Sequence, residues 1–343
     1  MIKIKQNTFF GISLLLLSCQ IEGMELYVAT DGSDSNTGTI DAPFATIIHA
    51  RNTVRKKIAD SYQGNITVSL RGGVYRLEET LVFGLEDSAP EGYNVRYQAY
   101  QNEKPIITSG KLISGWEKLT SFSSELPIVA QGNVWVADIE SAKNWQFRTL
   151  FDGEKMLSRA RSAGFVPTME CPAPSLAHRW QEMNTLGFPE GKLRNWDNLE
   201  DVEIFIRPTH QWLVNYLPIE KVDEQNGIAT TSIPGTYRLC KVVKKDWDET
   251  CWVENVLEAL DKPGEWVLNS KTGKLYYWPE SGKPGDNISA PVVRELVLVE
   301  GKNVDVVEGD VPVRGLIFDG LTFTGGDRDV WTVEDRGIQH DWD

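Results

Sequence analysis

Short runs in which apolar and polar residues alternate recur along the first hundred positions of the chain. In the clearest run, Ile66, Val68 and Leu70 are separated by polar residues, which is the period of a strand with one buried face. Similar runs cover residues 74–77, 81–83, 95–99 and 106–107. Because these short strands recur at a roughly constant interval, we predict an all-β solenoid for this region.

A helical period precedes these strands. Apolar side chains recur at helical spacing from about Ala45 to Ile58, and Lys56 and Lys57 suit the C-terminal end of a helix, where its dipole is negative. A terminal coil of a solenoid leaves apolar core and strand edges open. We therefore expect this helix to cap the first coil.

The regular interval is lost between residues 115 and 291. Strands at Trp266–Leu268 and Lys274–Trp278 around a polar turn predict a hairpin. Several further alternating strands predict an inserted antiparallel module that resembles a β-sandwich. After Pro291 the alternation returns with glycine corners, which predicts that the coils resume.

The charge of the chain excludes some partners. A formal net charge of -14 over 343 residues, without a basic stripe, argues against nucleic acid and against anionic lipid surfaces. Hydrophobic residues make up 41% and charged residues 24%, which is typical of a globular protein. We therefore expect no nucleic-acid partner.

The first residues are predicted to be an export signal. Two lysines precede the apolar segment Phe9–Leu17, which is too short to cross a bilayer as a helix. The tetrapeptide ending at Cys19 resembles a bacterial lipobox, in which this cysteine becomes the lipidated first residue. We expect an exported lipoprotein of the outer membrane, on its periplasmic or cell-surface side, that meets the membrane only through its lipid anchor. An ordinary secretory signal with a chance cysteine is the alternative.

The cysteines and one acidic cluster bear on disulfide formation and on calcium binding. Three cysteines follow Cys19, namely Cys171, Cys240 and Cys251. In an oxidising compartment Cys240 and Cys251 could pair, and the odd number of three leaves at least one free thiol. Asp31, Asp34 and Asn36 lack the full calcium-loop pattern, so turn chemistry is the expected role. We expect no cofactor, with calcium at this cluster as the alternative.

Seven segments carry a likeness to a known group of proteins. They are YVATDGSDSNTGTIDAPFATI, LRGGVYRLEETLVF, YQAYQNEKPIITSG, RTLFDGEKMLSRAR, PGEWVLNSKTGKLYYWP, GLIFDGLTFTGG and GIQHDW. Together they resemble right-handed parallel β-helix proteins that act on carbohydrates, similar to glycoside hydrolase families 141 and 120. The likeness implies a pectin-lyase-like β-helix with an N-terminal helix cap and a module inserted between early coils.

The expected organisation combines the pattern with this resemblance. It divides the chain into a signal peptide with lipobox (1–19), a cap with the first coils (24–114), an inserted β-rich module (115–291) and the resumed coils (292–343).

Candidate binding residues concentrate in the final run, Phe323–Asp343. Carboxylates and an arginine suit hydrogen bonding to a sugar or a uronate, indole rings suit stacking on a sugar face, and a histidine suits a hydroxyl. The substrate-binding candidates are Asp327, Arg328, Trp331, Asp335, His340 and Asp341. A solvated loop whose acidic and basic side chains pair with each other is the alternative.

A polysaccharide or oligosaccharide is the expected partner. Glycoside hydrolysis needs two carboxyl groups across a groove, and the resemblance implies that these lie in later coils, where no position of this chain matches them. We therefore expect the N-terminal part of a surface or periplasmic β-helix glycoside hydrolase, inactive alone, whose catalytic residues are unknown. A β-helix polysaccharide lyase and a non-catalytic surface glycan-binding protein are the alternatives.

Overall fold

The computed structural model describes residues 23–139, 145–170, 182–207, 214–241, 250–303 and 309–329. Within these ranges it contains one α-helix, a few short 3-10 turns and 23 strands. The predicted all-β class is confirmed. No helix in these ranges is long and apolar enough to cross a membrane.

The elements follow one another in this order: β1 (Met24–Val28), α1 (Ile47–Ala59), β2 (Ile66–Leu70), β3 (Gly73–Arg76), β4 (Leu81–Phe83), β5 (Val95–Ala99), β6 (Pro105–Thr108), β7 (Gly110–Leu112), β8 (Glu117–Lys118), β9 (Trp135–Asp138), β10 (Phe151–Asp152), β11 (Lys155–Met156), β12 (Ser158–Arg159), β13 (Thr185–Gly187), β14 (Glu203–Ile206), β15 (Asn215–Asp223), β16 (Ile228–Thr231), β17 (Cys251–Glu254), β18 (Glu265–Asn269), β19 (Lys274–Tyr277), β20 (Ile288–Pro291), β21 (Val297–Val299), β22 (Leu316–Asp319) and β23 (Thr322–Thr324).

The predicted helix is present as α1. The Thr46 hydroxyl accepts a hydrogen bond from the His49 amide at 3.1 Å, which caps the first turn. The Asp34 carboxylate accepts from the Ala45 and Thr46 amides at 2.9 Å each, so it orders the loop that leads into the helix. These contacts are 11 and 12 residues long in sequence, so Asp34 joins its loop to the start of the helix and does not form the local turn that the sequence predicted for it. Among the described residues no group of three His, Cys, Asp or Glu side chains is placed to hold a metal ion.

The described chain divides into two compact units. The first unit comprises the residues up to Gly73 together with Phe83–Pro105 and Val299–Leu321, and the second comprises Val74–Val82, Ile106–Leu298 and the residues from Thr322 onward.

The first unit is built on a parallel sheet in the order β1-β2-β5-β22. In one row across it Leu26, Val68, Tyr97 and Phe318 are register partners. The Tyr97 and Phe318 rings stack at 5.8 Å, and Phe83 packs edge-on to both at 5.2 Å. The chain therefore leaves this sheet after β5 and returns to complete it with β22.

The second unit contains a parallel sheet of its own, in the order β3-β6-β23. The Ser109 hydroxyl, just after β6, donates to the Gly325 carbonyl at 2.6 Å and accepts from the Val292 amide at 3.3 Å. This hydroxyl therefore joins three distant segments. A further two-stranded sheet pairs β4 with β21.

Most of the second unit is a stack of three sheets. The middle sheet has the order β12-β18-β19-β9-β8, and its neighbours have the orders β11-β10-β20-β7 and β13-β16-β15-β14-β17. On β18, Trp266 and Leu268 are buried in one apolar cluster and Val267 in the other. The middle sheet is therefore covered on both faces.

The predicted hairpin is confirmed as β18 and β19. Trp266 pairs with Tyr277 and Asn269 with Lys274 in an antiparallel register. The Thr272 amide donates to the Asn269 side-chain oxygen at 2.9 Å, which stabilises the turn.

The two cysteines considered for pairing are not joined to each other. Cys251 is free and buried, and its burial raises the pKa of its thiol well above the usual value. Cys240 is disulfide-bonded. The Cys240–Cys251 pairing left open by the sequence is therefore excluded, because Cys251 carries a free thiol while Cys240 is already bonded.

Candidate functional site

A glutamate interrupts one of the most apolar strands of the second unit. On β14, Ile204 and Ile206 enter the large apolar cluster, so the alternating Glu203 and Phe205 lie on the opposite face. Glu203 is only 3% exposed. A buried carboxylate is costly unless it is paired and hydrogen-bonded, so its partners define the surroundings.

Three guanidinium groups converge on Glu203. Arg159 and Arg328 donate to Oε2, and Arg148 donates through Nε to Oε1 at 3.4 Å. The three arginines come from a loop before β10, from β12 and from the segment after β23. One carboxylate therefore fixes three segments and leaves an excess of positive charge beside it.

The balance of charge sets the protonation of Glu203. Burial by itself raises the pKa of this carboxyl, but the charges of Arg159, Arg328 and Arg148 outweigh it and hold the pKa below its usual value. Glu203 is therefore ionised at neutral pH and positions the arginines.

A second glutamate faces the first across two strands. Glu203 and Glu254 are register partners of β14 and β17, an arrangement of like charges that is unfavourable alone. Arg159 lies between them, donating to Glu203 and standing 3.9 Å from the Glu254 carboxylate. The Trp252 indole N–H also donates to Glu254 at 3.0 Å.

Three aromatic rings form a row on the same sheet face. Phe205 pairs with Tyr216 on one side and with Trp252 on the other. The Phe205 and Trp252 rings stack at 3.6 Å between centroids with 8° between planes, and Tyr216 meets Phe205 edge-on at 5.2 Å. Such a row is a rigid support for groups that lie on it.

Arginine side chains cover the outer rings of this row. The Arg328 guanidinium carbon lies 4.4 Å from the Tyr216 ring centroid, and that of Arg161 lies 5.0 Å from the Trp252 centroid. Since Phe205 covers one face of Trp252, Arg161 occupies the other. These rings therefore hold cations and do not offer a bare platform to a sugar ring.

Asp327 fastens the segment that carries Arg328. Its carboxylate accepts from the Arg148 amide at 2.9 Å, the Thr149 hydroxyl at 3.0 Å and the Arg328 amide at 2.9 Å. Asp327 is therefore an anchoring residue that joins the loop before β10 to the segment after β23.

These side chains border a cavity of about 840 Å³. Its charged lining has five cations against three carboxylates: Arg148, Arg159, Arg161, Lys262, Arg328, Glu254, Glu265 and Asp327. Burial raises the pKa of Glu265, although two backbone amides that donate to it oppose the shift. The cavity is therefore cationic within a strongly acidic chain.

A smaller cavity of about 230 Å³ in the same unit has the opposite character. Glu125, Asp197 and Glu258 line it together with Trp196 and Tyr276. Burial raises the pKa of Glu125, and the charges of Glu258 and Asp197 raise it further. The two cavities therefore differ in the sign of charge that they accept.

The structure brings two of the sequence-predicted binding residues to the larger cavity, namely Asp327 and Arg328. The other four candidates and the predicted lipidation site lie outside the described residues: Trp331, Asp335, His340, Asp341 and Cys19. The neighbouring Asp329 pairs with Arg294 at 2.8 Å. Arg328 does order a carboxylate, but that carboxylate is Glu203.

The sequence did not identify Glu203, Arg148, Arg159, Arg161 and Tyr216 as a group. A single acidic residue in the otherwise apolar strand of β14 was the available signal, since such residues are seldom buried without partners. Their convergence depends on strand pairing across distant segments, which local patterns do not give.

Comparison with known proteins adds the family context. The family model described as the GH141 insertion domain matches residues 132–280. An uncharacterized protein YwoF of Bacillus subtilis is 34% identical over 95 residues, 28% of this chain and 18% of that protein. A pectate lyase, PEL9 of Emericella nidulans, is 30% identical over 126 residues, 37% of this chain and 27% of that protein.

A solved structure titled "Glycoside hydrolase" shares the fold. It superposes with a TM-score of 0.64 at 22% identity and covers 89% of this chain and 51% of its own. The chain thus spans less than a third of each curated relative and about half of the solved enzyme. The resemblance to carbohydrate-active proteins of the glycoside hydrolase family 141 group is confirmed.

Proposed function

We propose that this chain is the N-terminal part of a β-helix glycoside hydrolase that degrades a complex polysaccharide. The observation that carries the proposal is the 840 Å³ cavity of the second unit, bordered by residues of the segment that matches the GH141 insertion domain and by Asp327 and Arg328. A cavity of this volume lies within the size range of ligand sites, and its convergent polar groups suit a sugar.

The fold belongs to the same proposal. The parallel order β1-β2-β5-β22 and the parallel sheet β3-β6-β23 are what stacked coils of a right-handed parallel β-helix would give, with α1 as the cap. The coverage of about half of the solved glycoside hydrolase supports the proposal that the whole enzyme contains more coils.

Binding without turnover is the expected behaviour of the 343-residue chain. We expect it to bind polysaccharide fragments in calorimetry and to release little or no reducing sugar from xylan or pectic substrates. Absence of binding to every plant-polysaccharide fragment tried would contradict the proposal, and so would hydrolysis at the rate of a complete enzyme.

A polysaccharide lyase is the second candidate. The arginine-rich lining favours it, because lyases of acidic polysaccharides need a basic residue and an acidic substrate, and one relative is named a pectate lyase. Ultraviolet absorbance of an unsaturated uronate product distinguishes the two reactions, since hydrolysis forms no double bond.

The location of the protein is proposed from the lipobox alone. We propose an exported lipoprotein at the outer membrane, attached through Cys19. Replacement of Cys19 by Ala should move the protein from the membrane fraction to the soluble fraction of the producing bacterium. Unchanged partitioning would exclude attachment through this residue.

A further inference from the structure

We propose that the larger cavity is a receptor for a carboxylate-bearing sugar, and that Arg161 and Arg328, held on Trp252 and Tyr216, are the groups that bind the carboxylate. The inference rests on the proposed function and names its substrate class, a uronate-containing oligosaccharide. It depends on how the two guanidinium groups are held and on which of their donors are occupied.

The aromatic row supports both guanidinium groups. Arg161 lies over Trp252 and Arg328 over Tyr216, at 5.0 and 4.4 Å from the ring centroids. A guanidinium that rests on a ring still presents its N–H groups in a planar fork. A planar carboxylate accepts two such N–H groups side by side.

Arg161 is the cation of the cavity lining whose charge is least engaged in ion pairs. It is exposed, and among the described residues no carboxylate forms an ion pair with it. The other arginines already share Glu203, although one carboxylate neutralises only one of their three charges. Arg161 is therefore free to bind an incoming anion, and the remaining positive charge favours it.

Neutral sugars do not explain this arrangement. A binding site for an uncharged pyranose uses open aromatic faces and hydroxyl acceptors. Here the open face of Trp252 is occupied by Arg161, and five cations line the cavity. A neutral sugar would have to displace the guanidinium from its ring, which leaves little net binding free energy. An anion can bind to the guanidinium where it lies.

The experiment compares an acidic oligosaccharide with its neutral ester and with a neutral oligosaccharide of a different sugar. Tetragalacturonate, its fully methyl-esterified form and neutral xylotetraose are titrated into the full chain by calorimetry. We expect the free acid to bind about tenfold to a hundredfold more tightly than its ester, the range for charge-assisted hydrogen bonds. Its affinity should fall as salt is added.

Two variants test whether Arg161 is responsible for the preference for the acid over the ester. Arg161→Gln should remove most of the preference for the acid over the ester while the ester binds as before. Arg207→Gln is the matched control, because Arg207 also lies near a ring of the row, at 5.8 Å from Phe205, but is not part of the cavity lining. We expect that variant to keep the preference.

Each remaining outcome decides between the proposals. Equal binding of acid and ester, or an equal loss in both variants, would overturn the carboxylate receptor while leaving the glycan-binding function intact. Failure of all three ligands to bind would overturn the carboxylate receptor, and failure of every other plant-polysaccharide fragment as well would overturn the proposed function. Arg161→Lys adds a test of geometry: it keeps the charge but not the two-pronged contact, so we expect it to recover only part of the preference.

Discussion

At the residue scale, Glu203 acts through the groups that surround it. A buried ion pair adds little net stability compared with a well-packed apolar core, but removal of one partner leaves uncompensated charge. Glu203 faces three arginines, so its loss would leave three cations close together. Its role is to set the positions of Arg148, Arg159 and Arg328.

Glu203→Gln should destabilise the second unit by about 3–5 kcal/mol, because the amide cannot neutralise the arginines. Urea unfolding followed by tryptophan fluorescence measures this change. Glu280→Gln is the control: Glu280 pairs with Lys155 at 2.7 Å, both 58% exposed, and exposed pairs contribute below about 1 kcal/mol. Equal effects of the two substitutions would show that burial of Glu203 is unimportant.

The same carboxylate should make stability depend on acidity. The folded pKa of Glu203 lies below its usual value of 4.5, so its contribution is present above that pH and is lost as pH falls through the folded pKa. The difference in unfolding free energy between the native protein and Glu203→Gln should therefore shrink on acidification below pH 4.5. A constant difference there would mean that the pKa of Glu203 is not lowered.

The sequence indicated only one side of this cluster. Asp327 and Arg328 stood out because polar residues are concentrated around them. Their partners Arg148 and Glu203 are 179 and 125 residues away along the chain. Since no local pattern encodes such separations, the hydrogen bonds among these residues could not be predicted from the sequence.

At the scale of elements, one buried amide connects the middle sheet to its neighbour. Asn255, just after β17, donates to the carbonyls of Asp201 and Leu268 and accepts from the Leu268 amide at 2.8 Å. Its backbone has a φ of 70°, in the left-handed region that asparagine tolerates better than most residues. Asn255 therefore satisfies both backbone groups of Leu268 on the middle sheet, and it shares with Arg159 the Asp201 carbonyl in the turn before β14.

Asn255→Gly and Asn255→Ala should separate these two roles. Both remove the three hydrogen bonds, and we expect a loss of about 3 kcal/mol at roughly 1 kcal/mol for each. Alanine should lose about 1 kcal/mol more, because its side chain disfavours a positive φ. Chemical denaturation of both variants measures the difference. If alanine proves as stable as glycine, the backbone conformation at this position is not strained.

Local patterns predicted the elements better than their arrangement. The predicted strand at residues 66–70 and the β18–β19 hairpin are present because alternation and turn chemistry act between neighbours in sequence. β12 has two residues, too few for a pattern, yet it pairs in parallel with β18. The stack of three sheets therefore depends on contacts that only the folded chain reveals.

At the scale of the whole molecule, the first unit is completed by a strand that arrives late. Arg96 on β5 pairs with Asp319 on β22 at 2.7 Å, across 223 residues of chain. Contacts between such distant segments slow folding, because a long loop must close before they form.

Phe318→Ala should loosen the first unit, because this ring packs on the fully buried Phe83 and Tyr97. We expect a loss of about 2–3 kcal/mol, below that of a fully buried phenylalanine. Faster hydrogen exchange of the β5 amides measures it. Phe323→Ala, at a ring that is 41% exposed, should leave these amides protected. Equal exchange in both variants would show that β22 does not support the sheet.

The separation between Glu203 and Arg328 also has a consequence for biosynthesis. At about 5–20 residues per second, the ribosome adds the intervening 125 residues in roughly 6–25 s. During that time Arg148 and Arg159 are the two arginines of the cluster that have already been synthesised. The carboxylate is thus synthesised first and Arg328 much later, so the cationic cavity is complete only once residue 328 has emerged from the ribosome.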